Sequence, residues 1–296
     1  MTAKIRRTVC GVVAVALVAA LGLTACSDPH GNGTVNPEST PADRWALGRA
    51  GAATASSSPS ASSSPSAPAS RSPKPSASRS PSHSPTTKAA PPVTVASRLH
   101  TIPASTGQLV VVHSDGYGTS FAKLETFEKA NGVWRSKFGV MSARIGSKGF
   151  SDNHVEGVPT TPTGVYTIGS TMYGVRANPG VNYRYHQLVA NDYWDENPSS
   201  PTYNSFVHGS DPGGYSEALW QTVPQYNYFA VINYNIPAKA ATPALGSGIF
   251  LHVAGSGATA GCVSLTQADL LEVLEWLDPG SSPRIVLAPS QNLNRY

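Results

Sequence analysis

Residues 98–296 are predicted to form a mainly β domain with one or more packed helices, an α+β class, and three observations predict it. Short runs of β-branched and aromatic residues recur between turn signals, as half-buried strands require. An Asn131-Gly132 pair sits between two such runs and supplies the positive φ values of a type I′ hairpin turn. Only one segment, near the C-terminus, carries a helical apolar period with both a start and a stop signal.

In chain order, Gln108–His113 (QLVVVH) reads as a buried strand, and FAKLETFEKANGVWRSKFGVMSA reads as the hairpin turned by Asn131-Gly132. Further strands are expected at Gly164–Gly169, Tyr228–Tyr234 and Gly248–His252, with long irregular stretches from Tyr173 to Tyr215. Loops of that length in a compact domain usually carry function or line a groove. Val263–Leu265 reads as a strand that leads into the helix. Thr266 caps that helix, Asp269 takes the capping-box position, Leu270, Leu271, Leu274 and Leu277 share a face, and Asp278-Pro279-Gly280 ends it. Arg284–Ala288 closes the domain as a strand.

Ahead of the domain the composition changes twice. Residues 1–25 read as an export signal, with Lys4, Arg6 and Arg7 before an apolar run that is short for a membrane span. It ends in Leu23-Thr24-Ala25-Cys26, a pattern that resembles the bacterial lipobox; this implies cleavage before Cys26, lipidation of its thiol and attachment to the outer face of the cell membrane. Residues 26–97 are rich in Ser, Pro and Ala, too poor in apolar residues for a core, and read as a disordered linker. Extended at about 3.1 Å per residue, such a tether reaches at most roughly 200 Å, enough to carry the domain into a cell wall.

The chain's +4 charge belongs to those leading segments. Residues 98–296 hold fourteen acidic against twelve basic side chains, which excludes the basic surface of a nucleic-acid binder. With Cys10 in the signal and Cys26 lipidated, Cys262 is the one thiol left, so no intrachain disulfide is expected. His154, His186 and His208 are scattered, and no metal-ligand spacing accompanies His252 and Cys262. No metal and no cofactor is expected.

The segment HVAGSGATAGC, His252 to Cys262, holds the candidate chemistry. His252 ends a strand, and a ribbon of small residues makes a hairpin-like return that brings Cys262 beside it. Cys262 as thiolate with His252 as general base is a nucleophile pair for acyl transfer, with the Gly261 and Cys262 amides free to converge on an oxyanion. A lone cysteine serving as a small buried hydrophobe is the competing reading.

Gly246–Leu265 (GSGIFLHVAGSGATAGCVSL) resembles the active-site segment of the L,D-transpeptidase catalytic domain family (YkuD-type, ErfK/YbiS-like). RIGSKGF, EGVPTTPTGVYTIG, NDYWDENPSSPTYN, SEALW and INYN resemble it in the same order, over nearly all of 98–289. Many members place a histidine two residues before the cysteine; this chain has Ala260, which leaves proton transfer to His252 alone. The resemblance implies a β-sandwich-like catalytic domain acting on peptidoglycan tetrapeptide stems through a cysteine acyl-enzyme. An amine acceptor then gives a 3-3 cross-link, and water gives L,D-carboxypeptidase activity. It further implies Cys262 as nucleophile, His252 as base, oriented by a backbone carbonyl near Val253, Gly261 at the oxyanion and carbapenem-type β-lactams as inhibitors. Tyr203, Asn204, Ser216, Glu217, Trp220, Tyr234 and Asn235 are the candidate substrate-groove residues, and Glu217 or Asp192 the candidate for an ammonium group. A sortase-like enzyme would need an arginine soon after the cysteine, and a papain-like one has the opposite order of Cys and His. The rival of another class is a wall-binding lipoprotein without activity, which a substituted or buried cysteine would favour.

Overall fold

The structure, a computed structural model, describes residues 93–296. The signal segment 1–25, the lipidation site Cys26 and the linker up to residue 92 lie outside the described residues. Folded chain begins before Arg98, because Ala96 in the short turn Val95–Arg98 is fully buried in an apolar cluster with Leu109, Phe127 and Leu293.

Fifteen strands and one α-helix follow. The first six are β1 (Gln108–Ser114), β2 (Phe121–Ala130), β3 (Val133–Ser136), β4 (Met141–Arg144), β5 (Phe150–Ser151) and β6 (Thr161–Pro162). Next come β7 (Gly164–Gly174), β8 (Arg184–Gln187), β9 (Asp192–Asp195), β10 (Ser205–His208) and β11 (Glu217–Ala218). The rest are β12 (Phe229–Ile232), β13 (Phe250–Val253), β14 (Val263–Leu265), α1 (Gln267–Trp276) and β15 (Arg284–Pro289). The described residues therefore form a mainly β domain with one packed α-helix. The main sheet runs β1-β15-β7-β12-β13-β14-β4-β2-β3, and β1 also pairs with β2, so eight strands form a continuous hydrogen-bonded circuit. The resemblance implied a sandwich-like arrangement; the pairings themselves run as that one circuit.

Alternation sorts the side chains of the circuit into two sets. Val110, Val112, Ala230, Ile232, Leu251, Val253, Ile285 and Leu287 join the largest cluster. Their neighbours Leu109, Val111, Val286 and Ala288 pack with the N- and C-terminal turns. Phe229, Val231 and Phe250 pack with Trp194, Leu219, Tyr226 and Cys262. That last cluster carries the candidate chemistry.

The hairpin expected at Asn131-Gly132 is present, with φ of 51° and 77° joining β2 to β3. Thr266 Oγ1 accepts from the Asp269 amide at 3.2 Å and caps α1. The buried side of α1 is Leu270, Val273 and Leu274, with Leu277 at its C-cap; Leu271 is only half-buried and Val273 takes the place expected for it. β7 runs five residues beyond its expected end at Gly169. The stretch from Tyr173 to Tyr215, expected to be irregular, contains β8, β9 and β10, and β9 organises a separate three-stranded sheet, β10-β9-β11. That sheet supplies Trp194 to the cluster around Cys262.

Candidate active site

β13 and β14 lie side by side and parallel, with Leu251 opposite Val263, His252 opposite Ser264 and Val253 opposite Leu265. The expected hairpin-like return is therefore corrected. Parallel neighbours need a crossover, and the ribbon Ala254–Cys262 makes it, docking through Thr259, whose amide donates to Ile145 O at 3.0 Å and whose carbonyl accepts from Ser147 N at 2.9 Å. The crossover still sets the two residues on adjoining strands. Leu251, Val253, Val263 and Leu265 face the largest core, so Phe250, His252, Cys262 and Ser264 share the other face. Cys262 stands one pair before His252, the diagonal relation that longer side chains span between adjacent strands.

Hydrogen bonds inside the turn fix the cysteine. Thr259 Oγ1 donates to Cys262 O at 2.6 Å and accepts from the Gly261 amide at 3.2 Å. Thr161 Oγ1 donates to Gly261 O at 2.7 Å and accepts from Gly146 N at 2.8 Å. The Gly261 amide, expected to be free for an oxyanion, is thus engaged, because the turn closes on its own threonine. Gly261 is not at positive φ either; a side chain there would press on Thr160 O at 3.0 Å and Ile249 Cδ1 at 3.1 Å, so the position is glycine for space.

Thr161 received no role from the sequence beyond its Thr-Pro-x-Gly setting. Thr161→Val keeps the shape and leaves Gly146 N–H and Gly261 C=O without partners. Each buried group so stranded costs about 1–3 kcal/mol, so the urea midpoint should fall by the equivalent of roughly 2–6 kcal/mol and Cys262 should label faster with a small alkylating reagent. An unchanged midpoint would show that the turn does not depend on this bridge.

Cys262 is 7% exposed. Its thiol donates to Gly248 O at 3.2 Å, and its sulfur accepts from Phe250 N at 3.3 Å. Burial first, then the Glu217 and Glu196 carboxylates, push the thiol well above its ordinary range, against the Phe250 amide. The thiolate expected at neutral pH is therefore a neutral thiol in this state. His252 is 2% exposed, and burial lowers it to about 4, against its bond to the Val253 carbonyl. Nδ1 lies 2.8 Å from Val253 O, the orienting carbonyl expected there. A carbonyl only accepts, so Nδ1 carries the hydrogen and Nε2 is a lone-pair acceptor. Nε2 is buried and has no hydrogen-bond partner, nor has Ser264 Oγ opposite it.

Tyr226 packs its ring edge against His252, centroids 5.7 Å apart, and its hydroxyl donates to Glu217 Oε2. Burial, outweighing that bond, raises the Glu217 carboxyl above its usual range. Glu217 is thus the groove candidate that stays close to the thiol. The other six bond or pack within the protein. Asn204, at φ 58°, donates to the Tyr234 and Asn235 carbonyls and accepts from Trp194 Nε1 and Gly248 N, both at 3.0 Å. Asn235 donates to Gly246 O at 3.2 Å, and Tyr234 donates to His154 O at 2.6 Å. These three frame Gly246–Gly248, which receives the thiol. Ser216 donates to Gly213 O, and Trp220 packs edge-on to Tyr193. Tyr203 donates to Glu156 Oε2 at 2.6 Å and lines a separate hollow with Pro198, Lys239 and Thr242.

Asp192, the other ammonium candidate, is fully buried. It accepts from Val189 N and bonds His186 and His208 at 2.8 and 2.7 Å. Burial raises its carboxyl, but those three donors outweigh burial and hold it below the usual range. It is a structural acid. His154, far off in sequence, lies against Gly246 and Gly261, where an added Cβ would meet its ring, and burial lowers it to about 4. Among the described residues no cluster of three metal-ligating side chains occurs.

A family model for the L,D-transpeptidase catalytic domain (YkuD) matches residues 98–286. Two solved structures are similar to the chain. One is Bd1075 of Bdellovibrio bacteriovorus, at 15% identity over 67% of this chain and 55% of that one, with a TM-score of 0.32. The other is the helical cell shape determining protein Pgp2 (K307A mutant) of Campylobacter jejuni, at 16% identity over 64% and 51%, with a TM-score of 0.31. The chain thus spans about half the length of those two proteins. No curated protein matches it. The match covers well over half of the chain and takes in every strand from β1 to β14 along with His252, Cys262 and Thr161, and on that ground the chain belongs to the L,D-transpeptidase catalytic domain family.

Proposed function

We propose that this chain is a cysteine-dependent L,D-transpeptidase that joins peptidoglycan stems through 3-3 cross-links. One observation carries the reading: a buried imidazole with an unpartnered acceptor nitrogen shares a face, on adjoining strands, with the one free thiol among the described residues. Cys262 Sγ leaves Gly248 O, gives its proton to His252 Nε2 and attacks the carbonyl of the third stem residue. The C–S bond forms, the amide C–N bond breaks, and His252 returns the proton to the departing D-alanine nitrogen. The Cys262 amide holds the oxyanion, joined by the Gly261 amide when it swings away from Thr259 Oγ1. A stem amine then displaces Sγ, and water in its place gives carboxypeptidase activity. Glu217 faces the thiol with a carboxyl suited to an ammonium group on the third residue. The Leu23-Thr24-Ala25-Cys26 pattern supports a lipid anchor that holds the enzyme outside the cell membrane, which Cys26→Ala should release from the membrane fraction.

Burial of Cys262 and its bond to Gly248 O favour a second reading, a wall-binding lipoprotein without activity. Intact mass of the full-length chain after incubation with a disaccharide tetrapeptide separates the two. The proposal expects a thioester adduct, loss of D-alanine and a cross-linked product. Binding with neither adduct nor D-alanine would establish the second reading.

A further inference from the structure

Ser264 is 1% exposed, and its hydroxyl is buried without a hydrogen-bond partner, as is His252 Nε2 on the residue directly opposite. Most buried polar groups are paired, so two orphans facing each other across adjoining strands ask for an explanation. The row they share offers neither of them another partner. Register places Phe229 beside His252 on β12 and Arg144 beside Ser264 on β4. Phe229 is apolar, and the Arg144 guanidinium donates to Ser120 O at 3.2 Å and to Ser120 Oγ at 2.9 Å. The two orphans are complementary: Nε2 only accepts, since Nδ1 carries the hydrogen, whereas a hydroxyl both donates and accepts. Cys262 completes a triangle on this face, two residues ahead of Ser264 and diagonal to His252. Neighbouring strands lie about 4.8 Å apart and residues two apart on one strand about 6.6 Å, so the diagonal, at roughly 8 Å, is the longest side. A thiol is a short side chain for that reach, and in the resting protein Sγ bonds to Gly248 O and Phe250 N instead.

We propose that Ser264 Oγ relays the proton from Cys262 to His252. The proposal rests on the acyl-enzyme reading above. As Sγ attacks the carbonyl carbon, its proton passes to Ser264 Oγ while the hydroxyl proton passes to His252 Nε2. The C–S bond forms, the serine is again a neutral hydroxyl, and the imidazole holds the extra proton. His252 then delivers that proton to the departing amine nitrogen as the C–N bond breaks. The hydroxyl hydrogen turns about a single bond to serve either neighbour, so the relay asks no movement of β13 or β14. Two protons move in this acylation step, where direct transfer from thiol to imidazole would move one.

The test is acylation of the full-length chain by a disaccharide tetrapeptide, followed by intact mass, with Ser264→Ala and Ser264→Thr beside the wild type. Ser264→Ala should slow thioester formation at saturating donor by about 10²-fold, the lower end for a positioned proton-transfer group, and leave the KM unchanged. The hydroxyl it removes has no partner, so its urea midpoint should stay level with the wild type or rise. Ser264→Thr returns the hydroxyl on a side chain suited to a strand and should recover most of the rate. Rates in mixtures of light and heavy water should curve with deuterium fraction in the wild type, as two moving protons require, and run straight in Ser264→Ala. A merely structural role would leave that curve unmoved. Three results overturn the relay: a wild-type rate in Ser264→Ala, a rate loss that Ser264→Thr shares in full, or a straight plot for the wild type. In each of them the wild-type thioester leaves the acyl-enzyme reading standing. A wild-type chain that forms no thioester overturns both.

Discussion

Replacing His252 by alanine slows thioester formation by about 10²- to 10⁴-fold, the usual contribution of a positioned acid–base group, and replacing Cys262 by alanine abolishes it. The loss at His252 is large because the resting pair is neutral. Where a thiolate–imidazolium ion pair already exists, the nucleophile is formed before substrate arrives. In this site burial and the Glu217 charge keep the proton on sulfur, and burial keeps it off the imidazole. Proton transfer then has to accompany attack, with the unpartnered Nε2 of His252 as the proposed acceptor. The pH profile follows from the same arrangement. With His252 near 4, the adduct rate from a tetrapeptide or a carbapenem should show no acidic limb around pH 6.5 and stay level from about pH 5.5 upward until the thiol ionises. Glu217→Gln removes the charge that raises the thiol while retaining an acceptor for Tyr226, so alkylation of Cys262 at fixed pH should quicken. Intact-mass time courses read all three variants. An adduct formed by His252→Ala at the wild-type rate would sink the assignment of that residue as base.

What the sequence made legible, and what it did not, follows from how each residue acts. Asn131-Gly132 announced its hairpin because few residue pairs tolerate two positive φ values in succession. α1 was readable from Thr266 and the stop at Pro279, since caps are local chemistry. β8 and β10 escaped because their side chains are mostly half-buried or exposed, with no two-residue alternation to mark a face. His252 and Cys262 were legible by residue type, but the parallel pairing of β13 and β14 was not. The nine-residue ribbon between them is all small residues, and its path is set by the docking of Thr259 on Ile145 and Ser147. Thr161 and Asn204 act by bonding to backbone groups far off in sequence, which no spacing encodes. Asn204 consequently read as a groove residue when its side chain is a brace.

Acid should unfold this domain well before its ordinary carboxylates titrate, and the two buried imidazoles are the reason. His154 and His252 both sit near 4 in the fold, lowered from 6.5 by burial. Above pH 6.5 both are neutral in folded and unfolded chains alike, and their full contribution is present. As pH falls below 6.5 the unfolded chain takes up protons that the folded one refuses, so stability declines until the folded groups titrate near 4. Linkage puts the loss at about 2 kcal/mol for each histidine by pH 5 and roughly 3 by pH 4. Two such groups remove about 6 kcal/mol, a large share of the 5–15 kcal/mol that holds a typical domain together. Asp192 and Asp195, held below the usual range, add their loss only as pH falls through that range. Glu217 works the other way, because its raised carboxyl favours the protonated form in the fold and restores some stability on acidification. Urea midpoints at pH 7, 6, 5 and 4 should therefore drop steeply from 6 to 4, and His154→Gln should shed about half of that slope. A midpoint level between pH 7 and 5 would mean that water reaches both rings, and with it the neutral His252 on which the acyl-transfer chemistry depends would be lost.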